Sequence, residues 1–189
     1  MRMWACMPSA EVREGAFRLM AVQDAQIEPI RQWRNRQMDV LRQLEPISEG
    51  QQRDYYANHV WPWLDHSEPP SVLLSYVRDD VLIGYGGLVH IAWEHRRAEV
   101  SFLLDPDTFE DDTTYSALFV PYLGLIQRLA FEELGLNRIW TETFSFRSNH
   151  IRCLERAGLR PEGVLRQHVW VQGEPFDCIL HGRLRDDEG

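Results

Sequence analysis

The chain has 189 residues, 44% of them hydrophobic, and a formal net charge of −9 at pH 7. This length and apolar content predict one domain with one core, and the acidic balance argues against a nucleic-acid surface, which needs clustered cations. The three scattered cysteines form no disulfide or metal-ligand pattern and no run of 18 apolar residues occurs, so we expect a cytoplasmic protein with neither a metal nor a membrane partner.

The N-terminal part of the chain predicts one strand and two helices. Residues 1–16 have no period and are expected to be a loose leader, whereas Phe17–Val22 is typical of a first strand. A helix over Asp24–Arg42 follows, with Asp24 as its expected N-cap. Ser48, with Gln51 three positions later, forms a capping box that predicts the start of a second helix.

The middle of the chain contains three segments rich in strand-forming residues. They cover Ser71–Arg78, Val81–Ile91 and Ala98–Leu104. Asp79-Asp80 lies between the first two and predicts a short hairpin turn. The glycines of the second segment, among them Gly86, indicate a bulge or the close approach of another backbone.

The stretch from residue 112 to residue 158 is the most regular part of the sequence. Apolar residues recur at three- and four-residue steps within Thr113–Leu134, which predicts a long helix with a wide buried face. Gly135 is expected to end it. A strand over Asn137–Phe144 and a helix over His150–Ala157 follow, and Gly158 closes the unit.

Two last strands, Arg166–Val171 and Phe176–Leu184, complete the predicted order of elements. That order predicts a mixed α/β (α+β) fold with a central, mixed, twisted sheet of about seven strands and helices on both faces. The single domain is expected to cover residues 17–184, and residues 185–189 are expected to form a tail.

Short motifs carry a resemblance to a known family. The run Arg156–Gly163 after the last predicted helix, Trp33-Arg34-Asn35 in the first helix, and the ending Arg166–Val169 with His181-Gly182 are its main parts. With this order of elements, the chain resembles the GNAT superfamily of N-acetyltransferases, in particular the branch that acetylates ribosomal-protein N-termini and amino sugars. The resemblance implies that two central parallel strands splay apart and hold acetyl-CoA as co-substrate.

The resemblance also implies where acetyl-CoA binds. The pantetheine arm would pair with the main chain of the strand before the long helix, and the pyrophosphate would meet the start of that helix. The implied cofactor-binding residues are Phe102, Leu103, Leu104, Thr113, Thr114, Arg147 and Asn149. The chain departs from the family pattern here, because the segment Asp107–Tyr115 has four carboxylates and no glycine. Asp111 or Asp112 is alternatively a simple helix cap, under which CoA binds weakly, in a displaced position or not at all.

Three residues are candidate catalytic groups. Leu154 stands where the family has a catalytic tyrosine, so His150 at the start of the last helix is the candidate for proton transfer or orientation. Glu99 is the candidate general base, and Glu142 on the next strand is a further one. A structural alternative stays open, in which Glu99 forms an ion pair with Arg96 or Arg97. The strand histidines His90, His168 and His181 are expected to be core residues.

Aromatic and cationic residues of the N-terminal half are candidates for binding the acceptor. They are Trp33, Arg34, Tyr56 and Trp93, and simple packing explains the tryptophans equally well. The function implied is transfer of an acetyl group from acetyl-CoA to a primary amine, on an amino sugar, another small molecule or a protein N-terminus. A homodimer is one expected assembly. The alternatives are a non-catalytic module that has lost acetyl-CoA binding and an enzyme that uses another acyl donor.

Overall fold

The computed structural model describes residues 2–187, which form eight strands and four helices. The strands are β1 (Glu11–Glu14), β2 (Phe17–Ala21), β3 (Val72–Arg78), β4 (Val81–Ala92), β5 (Arg97–Leu104), β6 (Arg138–Phe144), β7 (Arg160–Val171) and β8 (Glu174–Leu184). The helices are α1 (Ile27–Arg36), α2 (Glu49–Tyr55), α3 (Asp112–Arg128) and α4 (Ser148–Arg156). No helix in this range is long and apolar enough to cross a membrane.

All eight strands form one sheet in the order β1-β2-β3-β4-β5-β6-β8-β7. The pairs are antiparallel except β5 with β6, so the prediction of a mixed sheet is confirmed. The eighth strand is β1, which lies within the segment predicted to be a loose leader. That prediction is wrong for the described part of the segment, because Trp4 is only 2% exposed and its indole nitrogen donates to the Leu73 carbonyl at 3.0 Å. Residue 1 and residues 188–189 of the predicted tail lie outside the described range.

The parallel pair β5–β6 is short. Its register covers only Arg97 with Arg138, Ala98 with Ile139, and Glu99 with Trp140. Each strand stays paired with its other neighbour, since β5 pairs with β4 as far as Leu104 and β6 pairs with β8 as far as Phe144. The two strands therefore diverge after Glu99 and leave a wedge between them, as the resemblance implies.

Helix α3 packs its apolar face on the sheet. The residues predicted to face inward are buried, including Leu118, Phe119, Tyr122, Leu125 and Ile126. Phe102 of β5 stacks on Phe119 with ring centroids 4.4 Å apart, whereas Glu99 of the same strand reaches the opposite face, where it meets the segment after α1. Helices thus cover both faces of the sheet.

Tyr122 fixes the strands beside the wedge. Its hydroxyl donates to the Ser101 carbonyl at 2.6 Å and accepts from the Gly87 amide at 2.7 Å. A Cβ on Gly86 would collide with Ser101 O and the Tyr122 hydroxyl. The predicted close approach of another backbone at these glycines is confirmed.

The first helix is shorter than predicted and has a different cap. Gln23, not Asp24, is the N-cap residue of a 3-10 turn that precedes α1. α1 ends at Arg36 instead of Arg42 because the side-chain amide of Gln37 donates to the Leu104 carbonyl at 2.8 Å and holds the chain at the end of β5. The turn at Asp79-Asp80 and the capping box of Ser48 are confirmed.

The motif after the last helix has a structural role. Gly158 ends α4 with φ 85°, as predicted. Glu162 accepts from Arg138 at 2.6 Å and lies over Gly182, whose missing side chain leaves the necessary space. β7 consequently begins at Arg160 and is longer than predicted, because the motif residues are already part of the sheet.

We expect Gly86→Ala to destabilise the fold by about 1–3 kcal/mol, because the added methyl group must push β5 or Tyr122 away. Urea unfolding measures this loss. The matched control is Gly50→Ala on α2, where a Cβ meets nothing within 4 Å and higher helix propensity stabilises by up to about 1 kcal/mol. Equal stability of the two variants would contradict the tight packing at Gly86.

Candidate active site

A cavity of about 280 Å³ fills the wedge between β5 and β6. Its walls include Phe102 of β5, Thr141 and Thr143 of β6, and the side chain of Arg34 on α1. The unpaired edges of two diverging strands offer main-chain groups to an extended ligand, as an added strand would use them. Phe102, predicted to bind the cofactor, lines this cavity, whereas Leu103 and Leu104 are buried and do not.

Two carboxylates line the same cavity. Glu99 is 3% exposed, and one of its oxygens, Oε1, accepts from Arg42, while Oε2 has no hydrogen-bond partner among the described residues. The side chain of Glu142 is 9% exposed, and its Oε1 is likewise buried without a hydrogen bond. Glu99 is therefore ion-paired, but to Arg42 and not to Arg96 or Arg97.

Each carboxylate also has a histidine nearby. Nε2 of His90 is 3.7 Å from Glu99, and Nε2 of His168 is 3.6 Å from Glu142. Both distances are beyond a direct hydrogen bond. The two carboxylates consequently keep unused acceptor capacity, which suits a group that binds or deprotonates an amine.

His150 closes the inner end of the cavity and is held by a chain of hydrogen bonds. The Arg147 guanidinium donates to the Tyr115 hydroxyl at 3.2 Å, and that hydroxyl is 2.7 Å from Nδ1 of His150. Phe119 stacks on the imidazole with centroids 4.2 Å apart. Burial, and next the charge of Arg147, hold the pKa of His150 well below its usual value, so the ring is neutral at pH 7.

These hydrogen bonds predict the tautomer of the neutral ring. The Tyr115 oxygen accepts from Arg147, which can only donate, and we expect the hydroxyl hydrogen to go to Nδ1 of His150. Burial raises the pKa of Tyr115 to about 12, so this hydrogen is retained. In this arrangement Nε2 of His150 carries the ring proton and is a hydrogen-bond donor, which agrees with the orienting role predicted as one of the two for this residue.

A second cavity, of about 460 Å³, adjoins the first at Arg147 and His150 and leads to the start of α3. Asp111 caps α3: its carboxylate accepts from the Thr114 amide at 2.8 Å, and this bond keeps the pKa of Asp111 below its usual value. Asp111 is thus the cap of α3, as predicted for Asp111 or Asp112, and the effect of this cap on CoA binding stays a prediction. Thr114, predicted to bind the cofactor, already uses its amide and hydroxyl within the cap.

Other residues predicted to bind the cofactor lie near the start of α3. Asn149 donates to the Asp112 carbonyl at 3.0 Å and lines the second cavity together with Arg147. Thr113 faces a neighbouring groove between α3 and α4 that also contains Arg152. Asp111 therefore places a negative charge at the start of α3, and Arg147 places a positive charge at the same cavity.

A third cavity, of about 380 Å³, lies between α1 and α2 and shares Arg34 with the first. Tyr56, predicted to bind the acceptor, lines it. Trp33 is 7% exposed in the core, and Trp93 donates its indole hydrogen to the Pro69 carbonyl at 2.8 Å. Neither tryptophan lines the cavities that contain Glu99 and Tyr56, so packing accounts for both.

A family described as "Acetyltransferase (GNAT) domain" matches residues 19–180. The chain belongs to this family. Its relatives in Bacillus subtilis (strain 168) include the uncharacterized N-acetyltransferase YoaA, 29% identical over 107 residues that cover 57% of this chain and 58% of the relative. The SPbeta prophage-derived uncharacterized N-acetyltransferase YokL is 32% identical over 82 residues, or 39% and 46%. The chain spans about half the length of these curated relatives.

Solved structures share the fold of this GNAT chain. The spermidine N-acetyltransferase from Vibrio cholerae in complex with CoA and spermine has a TM-score of 0.76 at 19% identity, covering 91% of this chain and 97% of that one. A probable acetyltransferase has a TM-score of 0.69 at 20% identity, covering 93% and 97%. Among residues 2–187 of the GNAT chain, no cluster of His, Cys, Asp and Glu side chains is arranged to hold a metal ion.

Arg42 and Tyr115 are the site residues that the sequence did not reveal. Arg42 was expected to continue the first helix, and it reaches Glu99 only because the helix ends at Arg36. Tyr115 meets His150 across 35 positions in sequence. No local pattern indicates either contact, since both depend on which elements pack together.

We expect Tyr115→Phe to release the tautomer of His150 without unfolding the protein, since the ring still packs among Phe102, Phe109 and Phe119. Nitrogen NMR of histidine-labelled protein measures this: in the parent, Nδ1 should give the signal of a bare ring nitrogen and Nε2 that of a protonated one. The variant should show a mixture. Tyr55→Phe on α2 is the control, and a protonated Nδ1 in the parent protein would contradict the assignment.

Proposed function

We propose that the protein is an N-acetyltransferase that moves an acetyl group from acetyl-CoA to the primary amine of a small molecule. The observation that carries this proposal is the pair of buried carboxylates, Glu99 and Glu142, in the wedge between β5 and β6. Membership of the GNAT family and the CoA present in the similar spermidine N-acetyltransferase structure support the choice of donor.

The proposed reaction is direct attack of the amine on the thioester carbon. Glu99 takes a proton from the attacking nitrogen as the carbon–nitrogen bond forms and the carbon–sulfur bond breaks. The sulfur leaves as a thiolate and takes its proton from solvent. Arg42, whose side chain is half exposed, must either move away from Glu99 Oε1 or share this oxygen with the amine. Glu142 helps to hold the amine.

His150 contributes a fixed donor and gives up no proton. With its ring neutral and Nε2 protonated, it can donate one hydrogen bond into the wedge, where negative charge develops on the carbonyl oxygen or the sulfur. Arg147 and Asn149 are the proposed contacts for the CoA phosphates. The acidic start of α3 favours the alternative in which CoA binding has been lost, and this is the competing candidate.

A thermal-shift titration with acetyl-CoA distinguishes the two candidates. At 100 times its dissociation constant, a ligand stabilises the fold by about 2.7 kcal/mol. Asp111→Asn keeps the cap but removes the charge, so we expect it to tighten acetyl-CoA binding roughly two- to fivefold. The control is Asp54→Asn on the exposed face of α2. No shift at millimolar acetyl-CoA in any variant would favour the non-catalytic module, and a shift with longer acyl-CoA alone would favour another donor.

We expect Glu99→Gln to lower kcat about 10²- to 10⁴-fold while acetyl-CoA binding changes little, because the amide cannot accept the proton. Thiol release in a panel of primary amines gives the rate, and its pH dependence is compared in the same assay. Glu94→Gln, at an exposed loop carboxylate, is the control. If Glu99→Gln has the same rate as the parent protein at every pH, Glu99 is not the base and Glu142 remains the candidate.

The proposed acceptor is an amino sugar or another small amine, and peptide substrates in the same assay test a protein N-terminus as the alternative. The homodimer is tested by light scattering of the purified protein.

A further inference from the structure

Arg34 differs from the other arginines of α1. Arg31 pairs with Glu28 at 2.6 Å and Arg36 with Asp107 at 2.7 Å. Among the described residues, no carboxylate lies within salt-bridge distance of Arg34, whose Nε donates to the Gln43 amide oxygen at 3.2 Å. The guanidinium of Arg34 thus keeps donors without an anionic partner.

Arg34 lies where two cavities meet, so its guanidinium is available to a ligand that extends from one cavity into the other. Its side chain lines both the wedge cavity, which contains Glu99 and Glu142, and the third cavity between α1 and α2. A molecule whose amine meets Glu99 and Glu142 must therefore pass Arg34 if it extends into the third cavity. At that point the site offers a planar cation with several donors, which is the partner that carboxylate and phosphate groups prefer.

The charges around the wedge agree with this role. Arg34, Arg42 and Arg147 face two carboxylates in its lining. Arg42 already pairs with Glu99, and Arg147 already donates to Tyr115 beside the proposed CoA site. Arg34, which also borders the third cavity, is the remaining arginine of this lining.

The walls of the third cavity indicate which groups the acceptor carries beyond its anion. Tyr55, Tyr56 and Tyr85 line the cavity with Ile47. Burial raises the pKa of Tyr85 to about 12, and the nearby positive charge of Arg34 opposes that rise. Glu45 also lines this cavity but is exposed and does not pair with Arg34. Rings and aliphatic groups pack well against such walls.

From these contacts we propose that Arg34 binds an anionic group on the acceptor, so that the substrate is an amine that also carries a carboxylate or a phosphate. This rests on the proposed function, because it assigns the amine of the same molecule to Glu99 and Glu142. A polyamine would instead bring a second ammonium group against Arg34. The preferred acceptor consequently differs in charge from the spermidine named for the similar Vibrio cholerae enzyme.

The test compares matched acceptors with and without the anion. Thiol release is measured for ω-amino acids of two to six carbons against alkylamines of equal length, for glucosamine 6-phosphate against glucosamine, and for spermidine. We expect kcat/KM to be about 10- to 100-fold higher for the anionic member of at least one pair. Which pair responds distinguishes a carboxylate acceptor from a phosphate acceptor.

Variants of α1 assign the effect to Arg34. Arg34→Gln should reduce kcat/KM for the anionic acceptor to the level of its uncharged partner, and Arg34→Glu should reverse the preference in favour of spermidine. Arg36→Gln, which changes a paired arginine on the same helix, should keep the parent preference. Circular dichroism verifies that each variant is folded.

Binding measured without turnover separates this inference from the proposed function. Calorimetry with the same acceptors is run in the presence of CoA. Acetylation of plain amines and anionic amines at equal rates would overturn the role of Arg34 and leave the acetyltransferase intact. Binding of an anionic amine that Arg34→Gln abolishes, without acetylation of any amine, would overturn the acetyltransferase and leave the anion site. No binding of any anionic amine would overturn the inference.

Discussion

The early divergence of β5 and β6 is the constraint on which the rest of this molecule depends. Three residue pairs join the two strands, and both then follow their outer neighbours, β4 and β8. Tyr122 keeps β5 on β4 by bonding to Ser101 and Gly87 at once. Because the backbone groups along the opening have no strand partner, the gap favours an extended polar ligand that can supply one.

The chemistry of the wedge depends on two carboxylates that are buried in its lining. A carboxylate without a full set of partners is costly to bury, and Glu99 and Glu142 both keep an oxygen without a hydrogen bond. A ligand that donates to these oxygens would complete their hydrogen bonding. The neutral His150 fits the same setting, since a second cation beside Arg147 would be repelled and poorly solvated.

The start of α3 makes this GNAT chain different from the pattern of its family. Asp111 occupies the amide that a phosphate would use, and the charge that a helix N-terminus favours is already supplied by the chain itself. Under the proposed function, binding of CoA would then depend more on the wedge and on Arg147 than on the helix dipole. The same acidic start supports the competing candidate, a non-catalytic module, because Asp111 caps α3 without any ligand.

Periodicity and capping residues were sufficient to predict most elements, since burial of one helix face or one strand face depends on neighbours close in sequence. Examples are the spacing of Leu118, Phe119 and Tyr122, the box of Ser48 with Gln51, and Gly158 at the end of α4. Gly135, with φ 68°, follows a π-helical turn, Leu129–Glu133, that continues α3 beyond Arg128. β1 was missed because the apolar residues around it, Trp4 and Val12, are too few and too irregular to form a period. Val12 pairs with Leu19 of β2 and Trp4 donates to Leu73 of β3, so their burial depends on strands that come later in the chain.

The residue types of the candidate site were likewise visible in the sequence, and the resemblance selected Glu99, Glu142, His150 and Arg34 among them. Their partners were not. Arg42 on Glu99 and Tyr115 on His150 are contacts across 57 and 35 positions, and they exist because α1 stops at Arg36 and α3 lies against α4. Local sequence determines which face of an element is apolar, but the pairing of charges and the tautomer of a ring are decided only when distant elements are brought together.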